Sequence, residues 1–484
     1  MEKEDKIKSK ISKATKWSTI TELLAKLIVP ITNLILARIL APDAFGVIAT
    51  ITTITSFADM LTDAGFQKYI IQHDFQNEEE LHQNANVAFL SNFVFSLFLW
   101  IIIVIFRDLI VSLLGSPNLG IPLVIASLQL PLTALSSIQM ALYKRDLDFK
   151  TLFYRRIISV ILPFIITIPL ALIGFNYWSL IIGTLCGHIS NIIILLIKSK
   201  WRPTTFFSFN ILKKMISFSV WSLMDSIIIW LGSYIDVFII GNVFDTYYLG
   251  LYNNSLHTVN AIMNIITASI TPVLLSSLSK YQNDNEKFNS TLFNFQKLMS
   301  YIIIPMGVGI FLYKELVVEI LLGSEWLEAA NIIGIMSLIT PFIIVLSNCV
   351  SICYIAKGKP KLSLIAQLIY LIPLVPIGII SANKSFWSYV YIRNFYRISL
   401  IISNLIILNK ILKISSLKLI KNLLLPVISS IIMAIVAIVL QNISKKIIWS
   451  IISITLCILT YFIIIVLIDK KSFKLIKELI KKKV

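Results

Sequence analysis

Runs of apolar residues, parted by short polar segments, recur from one end of this chain to the other. A helix needs roughly 20 apolar residues to cross the hydrocarbon of a bilayer, so the pattern predicts about fourteen membrane-spanning helices. They fall at 17–40, 44–66, 84–106, 119–142, 157–174, 177–197, 216–243, 247–275, 298–322, 329–356, 362–380, 386–409, 423–441 and 447–468. The weakest is 157–174, which is short, carries Pro163 and Pro169, and is separated from its successor by only Gly-Phe-Asn-Tyr-Trp.

A repeat lies on top of this pattern. Trp17-Ser18 opens span 1, and Phe45-Gly46-Val47 follows a tight acidic turn at Pro42-Asp43. Trp221-Ser222 opens span 7, and Leu249-Gly250-Leu251 follows the corresponding turn at Phe244-Asp245; both pairs are offset by 204 residues without a gap. The expected fold is therefore an all-α integral membrane protein with two pseudo-symmetric six-helix lobes and a C-terminal helix pair. The divisions are a tail at 1–16, an N-lobe at 17–197, a linker at 198–215, a C-lobe at 216–409, a terminal pair within 410–468 and a second tail at 469–484. Parallel repeats of this kind build transporters, with the substrate path between the halves.

Composition agrees. Hydrophobic residues make up 57% and charged residues 14% of the chain, against about 25% charged in a soluble domain. A net charge of +18 raises the question of nucleic acid, and its distribution answers it. Arg38, Arg107, Lys314, Lys384, Lys445 and Lys446 lie on one side of the spans, and Lys26, Arg393 and Arg397 lie within them. The other Lys and Arg of the 43 sit in the two tails and in every second loop. The positive-inside rule then puts both termini in the cytoplasm, as an even number of spans also requires. The surplus charge is a topology signal and a contact for anionic lipid, not a nucleic-acid footprint. Sixteen mostly polar residues precede a first span too long for a signal-peptide core, so a cleavable signal peptide is not expected. No phosphate-binding Gly-rich loop followed by Lys-Ser/Thr is present, which excludes an ATPase module. Cys186, Cys349, Cys353 and Cys457 lie within spans without a partner set at metal-site spacing, so no metal or cofactor is expected.

Polar side chains gain nothing from facing lipid, so polar stripes on spanning helices mark protein or water. Span 1 carries Glu22, Lys26 and Asn33; span 2 carries Thr52, Thr55, Asp59, Thr62 and Asp63. Span 7 carries Ser222, Asp225, Ser226, Ser233 and Asp236. Span 8 carries Asn253, Asn254, His257, Asn260, Asn264, Thr267 and Thr271 on roughly one face. The first two helices of each lobe are thus the wettest, and a cavity lined by spans 1, 2, 7 and 8 is expected. Each charge also has a plain structural reading. Glu22 and Lys26, four apart, can neutralise each other; Arg38 can snorkel; Asp59 and Asp63 can pair with basic loops; His257 can titrate or be a hydrogen-bonded packing residue. Arg393 and Arg397, one turn apart near mid-depth on span 12, must meet an acid from another helix or an anionic ligand. His188 follows the Gly183-x-x-x-Gly187 pattern of close helix packing.

Several segments resemble a known family. Ala37-Arg38-Ile39-Leu40-Ala41-Pro42-Asp43-Ala44-Phe45-Gly46, with Asp63-Ala64-Gly65-Phe66 and Ile71-Gln72, resembles the opening signature of bacterial polysaccharide exporters of the lipopolysaccharide, colanic-acid and teichuronic-acid type. Arg145-Asp146-Leu147-Asp148-Phe149 resembles their basic loop after span 4. Asp236-Val237-Phe238-Ile239-Ile240-Gly241, with Leu249-Gly250-Leu251-Tyr252, resembles the start of their second lobe. The likeness runs over residues 15–410 and extends more loosely to the end. It implies fourteen helices, a bacterial cytoplasmic-membrane location, and a lipid-linked oligosaccharide on an undecaprenyl diphosphate carrier moved between leaflets in a cation-coupled cycle. A polysaccharide polymerase and co-polymerase are partners of the kind such a flippase implies. On this reading Lys26, Arg38, Arg393 and Arg397 are candidate diphosphate ligands. Glu22, Asp59, Asp63, Asp225, Asp236 and His257 are candidates for cation coupling, and Asn33, Asn254, Asn260 and Asn264 line the path. The competing readings are a multidrug exporter, a lipid II flippase, and a membrane glycosyltransferase or polymerase; the small external segments argue against the last.

Overall fold

The computed structural model describes residues 17, 28–63, 66–146, 148–199, 201–444 and 446–469, and all regular structure among them is helical. Among the described residues, twelve helices are long and apolar enough to cross a bilayer, and a thirteenth is counted if the bent pair Thr246–Ala268 and Ile270–Lys280 is one span. The first expected span is represented by the short apolar helix Ile28–Ala37; residues 18–27 of it, with Glu22 and Lys26, lie outside the described residues. So do the side chains of Asp63 and Asp225.

The chain groups into two compact units, residues 1–253 and 254–484. The first holds α1 (Ile28–Ala37), α2 (Pro42–Asp63), α3 (Phe66–Gln72), α4 (Glu78–Ser112), α5 (Gly120–Ser127), α6 (Gln129–Arg145), α7 (Phe149–Leu172), α8 (Tyr177–Lys198) and α9 (Phe209–Val243). It ends within α10 (Thr246–Lys280). This unit therefore takes in the linker, span 7 and the start of span 8. The reason is visible in the packing. Met215 of α9 and Trp201 of the linker join Tyr69, Ile70, Val87, Phe89 and Ile138 in one buried cluster. The linker is also tied to α4: the Thr204 N–H donates to Asn86 Oδ1 at 3.0 Å, and Asn86 Nδ2 donates to Thr204 Oγ1 at 2.6 Å. Midway along, the Trp230 indole donates to Ser56 Oγ at 3.0 Å and its ring lies 4.7 Å from that of Phe57.

The second unit continues with α11 (Asn285–Leu312), α12 (Lys314–Leu321), α13 (Ala329–Phe342), α14 (Cys349–Ala356), α15 (Lys361–Ala382), α16 (Phe386–Tyr396), α17 (Ile398–Leu412), α18 (Ser416–Lys421), α19 (Leu424–Gln441) and α20 (Ile447–Ile468). The terminal pair α19–α20 docks on α11. Tyr461 hydroxyl donates to the Tyr301 carbonyl at 2.9 Å, Gln441 Nε2 to the Leu312 carbonyl at 2.9 Å, and Tyr313 hydroxyl pairs with Ser453. Lys297 and Tyr301 both bind Asp469 at the end of α20, at 2.6 and 2.8 Å. In an apolar surrounding each such bond satisfies a group that hydrocarbon would leave bare.

The helices differ from the apolar runs in two ways. Several extend past the bilayer's thickness: α4 runs from Glu78, capped by Asn77 Oδ1 accepting from the Glu80 N–H at 2.8 Å, to Ser112. Span 5 begins at Phe149, so the short run at 157–174 is the apolar part of a 24-residue helix. Asp148 caps it, its Oδ1 accepting from the Thr151 N–H at 3.1 Å and its Oδ2 from the Thr151 hydroxyl at 2.8 Å. Arg155 and Arg156, expected in the preceding loop, therefore lie on the helix. Other spans are interrupted. Span 4 breaks at Leu128 between α5 and α6, span 12 breaks at Arg397 between α16 and α17, and span 10 passes through a buried π-helical turn at Ile343–Asn348. Apolarity alone carries no signal for such breaks.

Candidate functional site

Each unit holds a polar cluster inside its spans. In the first, α2 gives Asp59, whose Oδ2 accepts from Gln129 Nε2 of α6 at 3.4 Å. One turn on, Thr133 hydroxyl pairs with His188 Nδ1 of α8 at 3.2 Å. Arg155 of α7 donates to Asn191 Oδ1 of α8 at 3.1 Å. The close approach of α7 and α8 that permits this comes from Gly183 and Gly187. A Cβ on Gly187 would meet Pro163 Cγ at 3.0 Å, and one on Gly183 would collide with the Thr167 hydroxyl. Gln129 and Thr133 are four residues apart and His188 and Asn191 three apart, so each pair shares a helix face.

In the second unit the cluster is cationic. Arg393 is 7% exposed, donates to the Tyr370 hydroxyl of α15, and stands over the Tyr370 ring at 5.6 Å. Tyr396 stacks on the same ring at 5.5 Å and donates to the Tyr370 carbonyl at 3.2 Å. Set over the Tyr370 ring and bonded to its hydroxyl, the guanidinium loses most of its freedom. Arg397, at the break of span 12, donates to Thr340 Oγ1 of α13 at 3.1 Å. Below it, Asn404 Nδ2 donates to Ser347 Oγ of the π turn at 3.0 Å. Spans 10, 11 and 12 contain no Asp or Glu. The arrangement is thus a pair of fixed cations set among hydroxyls and amides, chemistry suited to an anionic group rather than to acid–base catalysis.

The candidate residues distribute between the units. In the first, Asn33 and Arg38 are exposed, Arg38 in the turn between α1 and α2, Asp59 is half-buried and Asp236 is 5% exposed on α9. In the second, Asn254 is 4% exposed with no partner on its Nδ2, Asn260 is half-buried, and His257 and Asn264 are exposed. Arg393 and Arg397 are the candidates that share one cluster. Sequence reasoning missed Gln129, Thr133, Arg155, Asn191, Tyr370 and Thr340. The i,i+4 and i,i+3 polar pairs in otherwise aliphatic spans were the available signal for three of them.

Comparison with known proteins places this architecture. The chain is 26% identical over 374 residues to an uncharacterized membrane protein in the cps region of Klebsiella pneumoniae, covering 77% of this chain and 76% of that one. It is 24% identical to the succinoglycan biosynthesis transport protein ExoT of Rhizobium meliloti, covering 63% of this chain and 61% of that one. Among solved structures, the lipid II flippase MurJ in an inward closed conformation matches the fold with a TM-score of 0.78 at 18% identity, covering 95% of this chain and all of that one. Residues 35–331 match the family described as polysaccharide biosynthesis protein. That stretch runs from the end of α1 to the start of α13 and includes the first polar cluster; with it, this multi-pass helical chain belongs to the polysaccharide biosynthesis protein family.

Proposed function

We propose that this protein flips a lipid-linked oligosaccharide from the inner to the outer leaflet of the bacterial cytoplasmic membrane for surface polysaccharide synthesis. The observation that supports the reading is the arginine pair one turn apart in span 12, the buried Arg393 bonded to Tyr370 and the half-buried Arg397 bonded to Thr340. A diphosphate head and a polar glycan cannot cross hydrocarbon unaided, whereas a polyprenyl tail can remain in lipid. Fixed guanidinium groups bind a diphosphate through paired N–H donors. Amides such as those of Asn254, Asn260 and Asn264 hold sugars weakly, which suits a cargo that must also leave. Undecaprenyl diphosphate is the carrier class that fits, and a polymerase acting on the flipped product is the partner expected downstream. Lys26 and Arg38 are the other proposed diphosphate ligands, and Glu22, Asp59, Asp63, Asp225, Asp236 and His257 are the groups through which a cation gradient would act. Both termini lie in the cytoplasm on this reading, and the lobes 17–197 and 216–409 alternate in exposing the polar faces.

The test is a vesicle assay with purified protein and a fluorescent undecaprenyl-diphosphate oligosaccharide. Flipping should require the protein, and neutralising Lys26, Arg38, Arg393 and Arg397 together should abolish it. Undiminished flipping by that variant refutes the assignment of the cations. Flipping of lipid II with none of the glycan-only lipid refutes the substrate class.

A further inference from the structure

We infer that the turn joining span 12 to span 13, residues 410–424, is a binding site for the headgroup of an anionic phospholipid on the Lys-rich side of the membrane. The inference needs the membrane-spanning fold and not the flippase reading, so the two can fail separately.

Charge comes first. No Asp or Glu occurs between Glu328 and Asp469, and Lys410, Lys413, Lys418 and Lys421 fall within one stretch of twelve residues. The chain around them is held in place. α17 ends at Leu412, Lys413 takes a left-handed conformation (φ +55°), and α18 follows before α19 begins at Leu424. Ile414 and Leu419 are buried. Ser416 hydroxyl donates to the Leu405 carbonyl of α17 at 2.6 Å, and Gln296 Nε2 of α11 donates to the Leu419 carbonyl at 3.1 Å. Asn422 Nδ2 donates to the Phe293 carbonyl at 3.1 Å and to Gln296 Oε1 at 2.9 Å. The turn is thus tied to α11 and α17 at several points, all within the second compact unit.

What it leaves outward is sorted by chemistry. At about 100° per residue, Leu419 points into the bundle, Leu417 and Ile420 share a second face, and Lys418 and Lys421 share a third. Leu417 is 60% and Ile420 43% exposed; Ile411 and Leu424, at the adjoining ends of α17 and α19, are exposed as well. All four lysines are exposed, and among the described residues none of them forms an ion pair. Lys418 stands over the Phe293 ring at 4.7 Å. The acids of the neighbouring elements are remote or taken. Asp284 and Glu286 lie at least seven residues before Phe293, Asp284 is paired with Lys287 at 3.1 Å, and Asp469 is paired with Lys297 at 2.6 Å.

An apolar strip beside a row of lysines without carboxylates, between two spanning helices, is the pattern of a segment lying in the membrane interface. Leu417 and Ile420 enter the acyl boundary, and the ammonium groups reach the phosphates on their long stems. An acidic soluble partner or a free phosphate would use the charge and leave the exposed Ile411, Leu417, Ile420 and Leu424 in water. A phospholipid uses both, and it is the occupant assigned.

The test follows amide exchange of residues 413–423 by mass spectrometry, on the full chain in phosphatidylcholine nanodiscs with and without phosphatidylglycerol. Each lysine at an anionic surface is worth roughly fivefold in binding, so phosphatidylglycerol should slow exchange there at least about fivefold. The triple variant Lys413→Gln, Lys418→Gln, Lys421→Gln should lose that slowing. Arginine at the same three positions should keep it, which separates lost charge from lost fold; loss in the arginine variant overturns the charge argument. Lys384→Gln with Lys446→Gln, on the opposite side of the spans, should keep it too. Equal exchange in the two lipid mixtures overturns the proposal, as does slowing that survives in the glutamine variant. Slowing lost with Lys384 and Lys446 also overturns the site, because charge anywhere on the chain would then suffice. If inorganic phosphate or an acidic peptide, added to phosphatidylcholine discs, slows exchange as much as phosphatidylglycerol does, the lipid is not the occupant. No step reads transport, so a protein that flips nothing can still pass.

Discussion

Replacing Arg393 by methionine separates structure from function with unusual clarity. A cation near the middle of a spanning helix costs about 2.5–3.5 kcal/mol on insertion scales. Against this stand a charge-assisted hydrogen bond to the Tyr370 hydroxyl, worth about 1.5–3 kcal/mol, and the cation–π contact at 5.6 Å, worth about 1–2 kcal/mol when desolvated. These offset one another to within about 1–2 kcal/mol, so Arg393→Met should leave unfolding in detergent nearly unchanged, or raise the transition slightly. Tyr370→Phe, which keeps the ring and leaves the guanidinium short of one acceptor, should be the more destabilising change. Flipping should show the reverse order: lost in Arg393→Met, largely retained in Tyr370→Phe. Thermal unfolding followed by intrinsic fluorescence, beside the vesicle assay, reads both. If Arg393→Met lowers stability by more than about 3 kcal/mol while the folded fraction still flips normally, the arginine is a structural group and the reasoning fails.

Two further outcomes follow from contacts outside that cluster. Arg145 donates to the carbonyls of Ile70, Ile71 and His73 at 2.8, 3.4 and 2.7 Å and lies 4.8 Å over Phe75, so it closes the C-terminal end of α3. Arg145→Ala should speed amide exchange across α3 by roughly 10–100-fold, as the loss of charged hydrogen bonds would give; unchanged exchange refutes the cap. Asp469 joins Lys297 and Tyr301 with side-chain exposures of 17% and 32% for the ion pair, so Asp469→Asn should cost about 1–3 kcal/mol after discounting for solvent. Unfolding of that variant at the wild-type temperature would refute the docking of α20 through this pair.

The helical, multi-pass fold was legible because burial in lipid imposes one rule on every spanning segment, and runs of Ile, Leu, Val and Phe report it directly. The helix breaks at Leu128 and Arg397 and the π turn at 343–348 were not legible, since an apolar run reads alike through a kink or a straight helix. Arg155 was missed for a related reason. The apolar run starts two residues after it, while the helix starts six residues before it at Phe149, where Asp148 supplies the cap. Arg393 and Arg397 announced themselves because charge at mid-depth needs an explanation. Tyr370 and Thr340 gave no such signal: a tyrosine or threonine in a span is ordinary until a guanidinium is placed beside it. The basic loop Arg145 to Phe149 shows the converse. Its resemblance to a family pattern was visible in sequence, and its physical content, one residue closing α3 and another opening α7, needed coordinates.

The segment joining the two sequence halves has its own consequence. Ten extended residues can reach about 33 Å, enough to leave the next helix free to start almost anywhere nearby. Here Asn86 and Thr204 clasp each other, and Arg202 folds back on the carbonyls of Ser199 and Trp201. The entry of α9 is thereby held in a fixed berth against α4. A nick in this stretch would sever the covalent chain without setting its ends adrift.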